Sequence, residues 1–271
     1  MVLFALLLNA CPAAAPLPDG DTYVRGLVAA QRNREEALSR YAYDASEVKE
    51  DLDAGLKVTR RRTRELEVFM VKGRPVRRVV ERDGKPLTRQ ELEKEDKRVR
   101  EQADAIAAGK TASELPGVRI SKLLERYRFT AVAREELAGR CAIAFDFQAL
   151  PGDFPLDWDS VFRRLAGRLW VDEQDRAVAK IAVDNTSGIK IALGLAVKVQ
   201  TLAFRAEFQH LEDQVWLPRS IETLVVGRKL LVSAFRLRTT LSYRNFRRFG
   251  VEVEEAIGKG EAKPKEPPDE L

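Results

Sequence analysis

The side chains of this sequence that could take part in chemistry are few, and their spacing matches no catalytic motif. The chain has a single histidine, His210, and the acidic residues Glu212 and Asp213 follow it closely. These three side chains could form an acid–base dyad, but a position in a turn between strands explains all three. No nucleophile stands beside a base anywhere in the sequence.

An acidic group formed by Asp153, Asp157 and Asp159 surrounds Trp158 in the middle of the chain. Paired carboxylates could serve in acid–base chemistry or bind calcium, but this segment lacks the glycine-anchored loop of a calcium site. We favour the capping of a short helix by Asp157 or Asp159, because aspartate is common at helix starts.

Metal and nucleotide sites are also disfavoured. One histidine cannot supply a multi-histidine site, and two distant cysteines do not make a zinc cluster. Gly188, Gly194 and Gly227 lack the spacing and the strand-to-helix context of a phosphate-binding loop. We therefore predict a protein without enzymatic activity, without a cofactor and without a bound metal.

The two cysteines lie in different settings. Cys141 alternates with Ile143, Phe145 and Phe147, and this pattern predicts a small core residue on a strand. A disulfide between Cys11 and Cys141 is conceivable. We do not expect it, because Cys11 lies in a segment that resembles an export signal.

The first 20 residues predict a signal peptide or a lipoprotein leader. Residues 1–10 are almost wholly apolar and lead into small residues, although no positive n-region precedes them. Leu8-Asn9-Ala10-Cys11 resembles a bacterial lipobox, in which Cys11 would be lipidated and would become the mature N-terminus. Alternatively, Ala13-Ala14-Ala15 offers a cleavage site. Either route predicts an exported protein, in the periplasm or anchored to the outer membrane; the alternative is a disordered leader on a cytosolic protein.

The composition fits one folded domain with a substantial core. The 271 residues are 45% hydrophobic, and 47 Lys and Arg against 42 Asp and Glu give a net charge of +5. The charges are interspersed, which indicates a solvated surface with mild attraction to acidic partners. Aromatic platforms beside basic residues are absent from the sequence, so we expect no nucleic acid partner.

The densest basic run is Arg60-Arg61-Arg62-Thr63-Arg64, within an extended and heavily charged segment. Two interpretations remain open for it. The arginines could bind a phosphate or a lipid headgroup. Alternatively, they could form the solvated edge or outer face of a sheet, where charges protect against aggregation.

Alternating apolar and polar residues predict a long antiparallel sheet. From Arg128 to Phe246 the sequence reads as one strand after another, with tight turns between them. Turn signals also occur at residues 72–75, 82–85 and 227–228. This pattern predicts a sheet with one apolar face that must be covered.

Helical spacing occurs in three places outside this sheet. Asp21–Arg40 predicts a helix with Asp21 as its N-cap, and residues 88–108 and 118–127 predict two more. Residues 88–127 together form a predicted helical insertion within one domain that covers residues 21–255. The Lys-, Glu- and Pro-rich segment 256–271 predicts a disordered tail.

Two short motifs carry a family resemblance. Gly167-Arg-Leu-Trp170-Val-Asp172, followed by Arg176-Ala-Val-Ala-Lys-Ile181, and Gln214-Val-Trp216-Leu-Pro218-Arg219 look like hairpin elements of the LolA/LolB-like carriers. This superfamily of outer-membrane lipoprotein carriers also includes regulators of the MucB/RseB type. The resemblance covers roughly residues 21–255 and implies an α+β fold. Its strongly curved antiparallel sheet would be a half-open β-barrel of about 10–11 strands covered by helices. An apolar cavity would lie between the sheet and the helices.

Alternating positions on the strands supply candidate residues for the wall of this cavity, although each could be an ordinary core residue. The candidates are Ile143, Phe145, Phe147, Leu169, Val171, Leu202, Phe204, Phe208, Phe235 and Leu237. Trp170 and Trp216 could guard the mouth of the cavity or simply pack.

These patterns predict a non-catalytic, monomeric envelope carrier that binds lipid or the acyl chains of a lipoprotein. Contact with a membrane surface is also conceivable. The main alternative is a regulatory module of the same fold that binds a partner protein. An outer-membrane barrel is disfavoured, because the strands at 57–65 and 76–82 carry too many charges for a lipid-facing band.

Overall fold

The computed structural model of the chain describes residues 11, 15–109, 120–151, 159–192, 196–211, 216–229 and 233–248. Residues 1–10 and 12–14 of the predicted leader, and the whole predicted tail, lie outside these ranges. Across the described ranges, no helix is both long enough and apolar enough to cross a membrane.

The helices and strands follow one another along the chain with few long connections. The helices are α1 (Gly20–Arg25), α2 (Val28–Leu38), α3 (Arg89–Ala107), α4 (Ile120–Leu124) and α5 (Asp159–Phe162). The strands are β1 (Tyr41–Leu52), β2 (Val58–Val71), β3 (Arg74–Arg82), β4 (Lys85–Pro86), β5 (Tyr127–Leu137), β6 (Arg140–Ala149), β7 (Leu165–Asp172), β8 (Ala177–Asn185), β9 (Ile189–Ala192), β10 (Ala196–His210), β11 (Trp216–Lys229) and β12 (Ser233–Arg248).

The described strands form one antiparallel sheet of twelve strands. Its order is β4-β3-β2-β1-β12-β11-β10-β8-β7-β6-β5, and β9 pairs with β10 beside this path. The path has two free ends, at β4 and β5, so the sheet is open. The predicted α+β class, an open antiparallel sheet with a few helices, is confirmed, with twelve strands in place of ten or eleven.

Three of the hairpins close with two-residue turns. Lys72-Gly73, Asp83-Gly84 and Ala138-Gly139 each pair a residue of positive φ, at 47°, 48° and 51°, with a glycine of positive φ. Turns of this hand match the natural twist of the flanking strands. The turns predicted at 72–75 and 82–85 are therefore confirmed.

The turn predicted at Gly227-Arg228 is wrong, because β11 runs straight through both residues. A side chain at position 227 would meet the carbonyl oxygen of Lys198 at 2.6 Å and the ring of Phe235 at 2.7 Å. Glycine is needed there because a neighbouring backbone and a ring approach the strand closely. In the sequence, a glycine that is required because another strand packs closely looks the same as a glycine in a turn.

The helix predicted over Asp21–Arg40 is two helices, α1 and α2. Asp19, and not Asp21, caps α1, since its carboxylate accepts the backbone N–H of Thr22 at 2.9 Å. Asp21 accepts the backbone N–H of Phe129 at 2.8 Å instead. Either aspartate could serve as an N-cap by residue type. Only the contact between Asp21 and the distant strand β5 distinguishes their two roles.

The helix predicted from residue 88 is confirmed as α3. Its start is a capping box, in which Glu91 accepts the backbone N–H of Thr88 at 2.9 Å and donates its own backbone N–H to the Thr88 hydroxyl. The second predicted helix, 118–127, is reduced to α4 within the described residues, because Tyr127 already begins β5.

At each side of the sheet an acidic side chain from a helix accepts a backbone N–H of the outermost long strand, β5 on one side and β3, beyond the two-residue β4, on the other. At the β3 edge, the Glu95 carboxylate of α3 accepts the backbone N–H of Val79 at 2.8 Å, and Arg98 donates to the carbonyl of Arg77. At the β5 edge, Asp21 of α1 accepts the N–H of Phe129. A strand N–H held by a helix carboxylate is not open to pairing with another chain, so these contacts reduce the exposed pairing sites at the edges.

The helices pack at the two ends of the sheet and form separate cores there. The large core lies between α1, α2, α4 and strands β5–β8, with Leu27, Ile143, Phe145 and Val171 at its centre. The smaller core joins β1–β3 and β12 to the end of α2 and to α3. The middle strands of the sheet connect the two cores.

A buried ion pair anchors the turn between β7 and β8. The Asp172 side chain is 1% exposed and accepts two hydrogen bonds from the Arg140 guanidinium, at 2.7 and 2.9 Å. Arg140 also donates to Asp175 at 2.7 Å, and the Trp216 indole donates to the same carboxylate at 2.9 Å. The hydrogen bonds with Asp172 raise the pKa of Arg140 above its usual value.

The same turn holds the first two helices. Arg34 of α2 donates to the backbone carbonyls of Asp175 and Arg176 at 2.7 and 3.0 Å. The Arg176 guanidinium lies 4.8 Å from the centre of the Tyr23 ring, and that ring stacks on Phe145. The turn therefore joins β6, β11, α1 and α2.

The structure pairs Cys11 with Cys141 in a disulfide, with 5.3 Å between their Cα atoms. The expectation that these cysteines do not pair is wrong. The backbone segment before α1 lies close to β5 and β6, where Arg134 donates to the carbonyl of Ala15 at 2.5 Å. This proximity could not be read from the sequence, because it depends on the path of the chain before α1.

We expect Arg140→Leu to destabilise the protein by about 3 kcal/mol, because it leaves the buried Asp172 carboxylate without its partner. Urea unfolding followed by circular dichroism measures the loss. The control is Arg168→Leu, whose ion pair with Asp146 is 39% and 51% exposed. An exposed pair contributes up to about 1 kcal/mol, so equal losses in the two variants would contradict the anchoring role of Asp172.

We also expect protein recovered from an oxidising compartment to contain the Cys11–Cys141 bond. Non-reducing tryptic digestion should then yield the peptide that ends at Arg25 linked to the peptide 141–163, and reduction should separate them. One sulfur cannot carry both this bond and a thioether to a lipid, so lipidation of Cys11 remains the competing prediction. Free thiols, or a lipidated Cys11, would rule out the disulfide.

Candidate ligand-binding face

Four of the ten predicted cavity residues lie in the centre of the large core. Ile143, Phe145, Leu169 and Val171 are 0–1% exposed. The Phe145 ring stacks on the Tyr23 ring, with 5.4 Å between centroids, so the helix and the sheet interlock at this point. These four positions act as packed core in the structure.

The other six predicted residues are partly buried. Phe147, Leu202, Phe204 and Phe208 pack against the rim of the large core. Phe235 and Leu237 lie on β12 and belong to neither core. Five of the six lie on β10 or β12, nearer to the middle of the sheet than the fully buried residues of β6 and β7, and Phe147 on β6 is the exception.

Apolar side chains lie in two rows across the three middle strands, on the face that the helices cover elsewhere. Register pairs Leu202 with Val225 and Leu237, and Ala206 with Ile221 and Leu241, with a row of Phe204, Thr223 and Thr239 between them. We call six partly buried side chains the apolar strip. They are Leu202, Phe204, Ile221, Val225, Leu237 and Leu241.

The strip joins the two cores without belonging fully to either. Leu202, Phe204 and Val225 touch the large core, and Leu241 touches the smaller one. Ile221 and Leu237 lie between them and appear in neither core. Partly exposed apolar side chains in a row form a surface that a second apolar molecule can cover.

Three members of the strip, Ile221, Val225 and Leu241, were missed from sequence. The signal was present, because Ile221, Thr223 and Val225 alternate with Glu222 and with other residues of the opposite face.

Charged side chains of β1, and beyond them three arginines of β2, border the strip on the same face. Register places Arg60 beside Asp51 and Leu237, Arg62 beside Lys49 and Thr239, and Arg64 beside Glu47 and Leu241. The basic run on β2 is therefore not at an edge of the sheet, and its even-numbered arginines share the face of the apolar strip.

Acidic residues of β1 hold two of these arginines. Arg62 lies 2.9 Å from Asp51, and Arg64 lies 3.8 Å from Glu47. Arg61 points to the opposite face, where its hydrogen bond to Glu50 lowers the pKa of that carboxyl group below its usual value. The border of the strip is thus charged and net positive, with Arg60 exposed.

The two motif tryptophans have hydrogen-bond partners in packed settings. The Trp170 indole donates to Glu135 at 2.7 Å, and the rings of Trp216 and His210 lie 5.6 Å apart. Trp216 is 9% exposed. These contacts favour the interpretation that both tryptophans pack.

The remaining acidic candidates give no assembled site within the described ranges. Asp153, Asp157, Glu212 and Asp213 lie outside those ranges, as does the side chain of Asp159. His210 Nε2 lies 3.4 Å from the Asp175 carboxylate, which already accepts from Arg140 and Trp216. Among described side chains, no cluster of three metal-binding residues occurs.

The arrangement as a whole suits an amphiphile. Apolar side chains form the middle of the face, and cations form one border. Such a face can hold a hydrocarbon chain by contact and its polar end by charge.

Comparison with known proteins gives matches in structure alone. No family model matches the chain, and a search of curated proteins finds no match either. A candidate outer membrane lipoprotein-sorting protein domain from Vibrio parahaemolyticus is 12% identical, with 89% of this chain and 98% of that chain covered and a TM-score of 0.42.

Two further structures match in the same way. A LolA superfamily protein from Nitrosomonas europaea is 10% identical, with 83% of this chain and 96% of that chain covered and a TM-score of 0.35. The MucA/MucB complex of Pseudomonas aeruginosa is 11% identical, with 83% and 99% covered and a TM-score of 0.26. The names of these structures include the lipoprotein-sorting, LolA and MucB groups, which the two strand motifs also resemble. At these TM-scores and identities, the similarity carries no argument about ligand or partner.

Proposed function

We propose that the protein is a non-catalytic carrier that binds an acyl chain of a lipid or of a lipidated protein on the apolar strip. The observation that carries this proposal is the position of the strip. Its side chains are partly exposed, they lie on the core-facing side of the sheet, and they connect two packed cores.

Burial of hydrocarbon supplies the free energy of binding in this proposal. Each buried CH₂ group contributes about 0.8 kcal/mol. The strip covers β10, β11 and β12, and two strand spacings give it a width of about 10 Å. A surface of this width can contact one or more acyl chains with no chemical step.

The charged border gives the bound molecule an orientation. An acidic headgroup placed at Arg60 would leave its hydrocarbon chain to cross β1 beside Asp51, which Arg62 neutralises, and to reach Leu237 on β12. Arg60 can take this role because it forms no ion pair with any residue that the structure describes, whereas Arg62 and Arg64 already lie beside Asp51 and Glu47.

We propose further that the protein is exported to the cell envelope. The apolar leader suggests export, and a Cys11–Cys141 disulfide is the chemistry of an oxidising compartment such as the periplasm. We propose that the protein acts there as a monomer.

Substitution on the strip tests the proposed function. We expect Leu237→Asp to weaken the binding of cis-parinaric acid, a fluorescent fatty acid, at least about tenfold, because a carboxylate would be desolvated against hydrocarbon. Leu237 is partly exposed and belongs to neither core, so the variant should fold. Fluorescence titration measures the affinity.

The matched control is Leu224→Asp, on the neighbouring strand and the opposite face, where it pairs with Arg238. Its affinity for the fatty acid should stay within about twofold of the parent's. Equal affinity in the parent and in folded Leu237→Asp would overturn the proposal. It would favour the alternative of a regulatory module that binds a protein partner.

A further inference from the structure

The two most exposed large hydrophobic side chains in the described part of the chain lie two positions apart. Leu56 is 42% exposed and Val58 is 45% exposed. Both lie where β1 turns into β2, and every residue from 53 to 61 is exposed there. We call residues 53–58 the hairpin tip. Single exposed apolar residues are common on protein surfaces, but a pair at the end of a hairpin forms a small apolar surface.

The hairpin tip extends past the pairing of the neighbouring strands. The pairing of β1 with β12 ends at Asp51 opposite Leu237, and the pairing of β2 with β3 ends at Arg64 opposite Arg82. Beyond these points β1 and β2 pair only with each other. The two apolar side chains of the tip belong to none of the apolar clusters of the described chain, so packing within the fold does not explain them.

The backbone of the tip has a defined conformation that is unfavourable for leucine. The Asp53 carboxylate accepts the backbone N–H groups of Gly55 and Lys57, at 2.8 and 2.9 Å. Within this loop Leu56 has a φ of 61°, in the left-handed region that glycine and asparagine adopt more easily. Folding alone therefore gives no reason for a leucine here, and a partner that covers its side chain would give one.

Two cations beside the apolar pair have no acidic partner. Lys57 lies between the two apolar residues in sequence, and Arg60 follows on β2. Neither forms an ion pair with any residue that the structure describes. The next two arginines differ, because acidic residues of β1 hold them at 2.7 and 2.9 Å. The carboxylate of Asp53 is turned toward the loop backbone, so the outer side of the tip is cationic and apolar.

An anionic lipid surface fits this combination better than a folded partner does. A stable protein interface buries about 800 Å² on each side, which is far more than two apolar side chains and two cations can supply. A bilayer requires no such area, because a short apolar protrusion can enter its interfacial region while cations bind the phosphates of the headgroups. A nucleic acid would use the cations but would leave the apolar pair in water.

We propose that the hairpin tip docks the protein on an anionic lipid surface. Leu56 and Val58 enter the interfacial region, and Lys57 and Arg60 lie at the level of the headgroups. Register places Leu237 of the apolar strip in the row that begins at Arg60. The docked tip therefore brings the charged border of the strip close to the membrane.

The test uses the full chain and large unilamellar vesicles of phosphatidylcholine, with or without about 30% phosphatidylglycerol. Co-sedimentation measures the binding. We expect binding to the anionic vesicles alone, with most of it lost at about 0.5 M salt. No binding to either kind of vesicle, or equal binding to both, would overturn the proposal.

The variant Leu56→Asn/Val58→Thr removes the apolar surface with little change in side-chain size and none in charge. We expect it to bind the anionic vesicles at least about tenfold more weakly, because hydrocarbon burial contributes to interfacial binding. Asparagine adopts the left-handed conformation readily, so the variant should unfold at the same urea concentration as the parent or a higher one. The binding of cis-parinaric acid should be unchanged, since neither residue belongs to the apolar strip. Either proposal can therefore fail without the other.

The matched control is Leu17→Asn/Val132→Thr, which makes the same replacements at two other exposed apolar side chains, 39% and 38% exposed. Its vesicle binding should stay within about twofold of the parent's. An equal loss in the two variants would reduce the effect to general surface hydrophobicity and overturn the proposal. Unchanged vesicle binding in the tip variant would also overturn it.

The variant Leu56→Trp measures insertion directly. Its fluorescence emission should shift to shorter wavelength when anionic vesicles are added, whereas the parent, which has no tryptophan at the tip, should show no shift. No shift in the variant, or an equal shift in both proteins, would contradict insertion. A dimer in solution that Leu56→Asn/Val58→Thr abolishes would assign the tip to a second copy of the chain and overturn the proposal, as would tighter binding to a DNA duplex than to the anionic vesicles.

Discussion

The buried carboxylate of Asp172 is the interaction on which the rest of the fold depends. A desolvated charge requires a partner, and Arg140 supplies one from the neighbouring strand with two hydrogen bonds. The same guanidinium reaches Asp175, whose carboxylate also holds Trp216, and the backbone carbonyl of Asp175 holds Arg34 of α2. One charged turn therefore fixes the distance between the sheet and the helices. The two sequence motifs that carry the family resemblance meet at this turn.

The open sheet imposes a second constraint, because both of its edges must be covered. Helices supply the cover, α1 at β5 and α3 at β3, and each uses a carboxylate to accept a strand N–H. Helices that are held at the edges leave the middle strands with partial cover. The apolar strip lies on those middle strands, so the arrangement that protects the edges also leaves the candidate binding face accessible.

Local signals predicted most of the elements, and contacts between distant parts of the chain decided the rest. Strand alternation, the Asp83-Gly84 turn and the Thr88 cap depend on neighbours in sequence, and the structure agrees with them. Gly227 and Asp21 were misassigned because a turn glycine and a packing glycine, or a capping and an edge-binding aspartate, look alike locally. The predicted cavity wall mixed core residues with members of the apolar strip, since alternation identifies a face but not its cover.

Strand alternation also allows the middle hairpins to hold two surfaces of different chemistry. Along β10, Val199, Leu202 and Phe204 face the core side, and Lys198 faces outward. A bulge at Gln200 shifts the alternation once, which keeps Val199 and Leu202 on the same face although they are three positions apart. The apolar strip and the exposed Lys198 are thus carried by the same strand, on opposite faces, and the sheet itself separates the two surfaces.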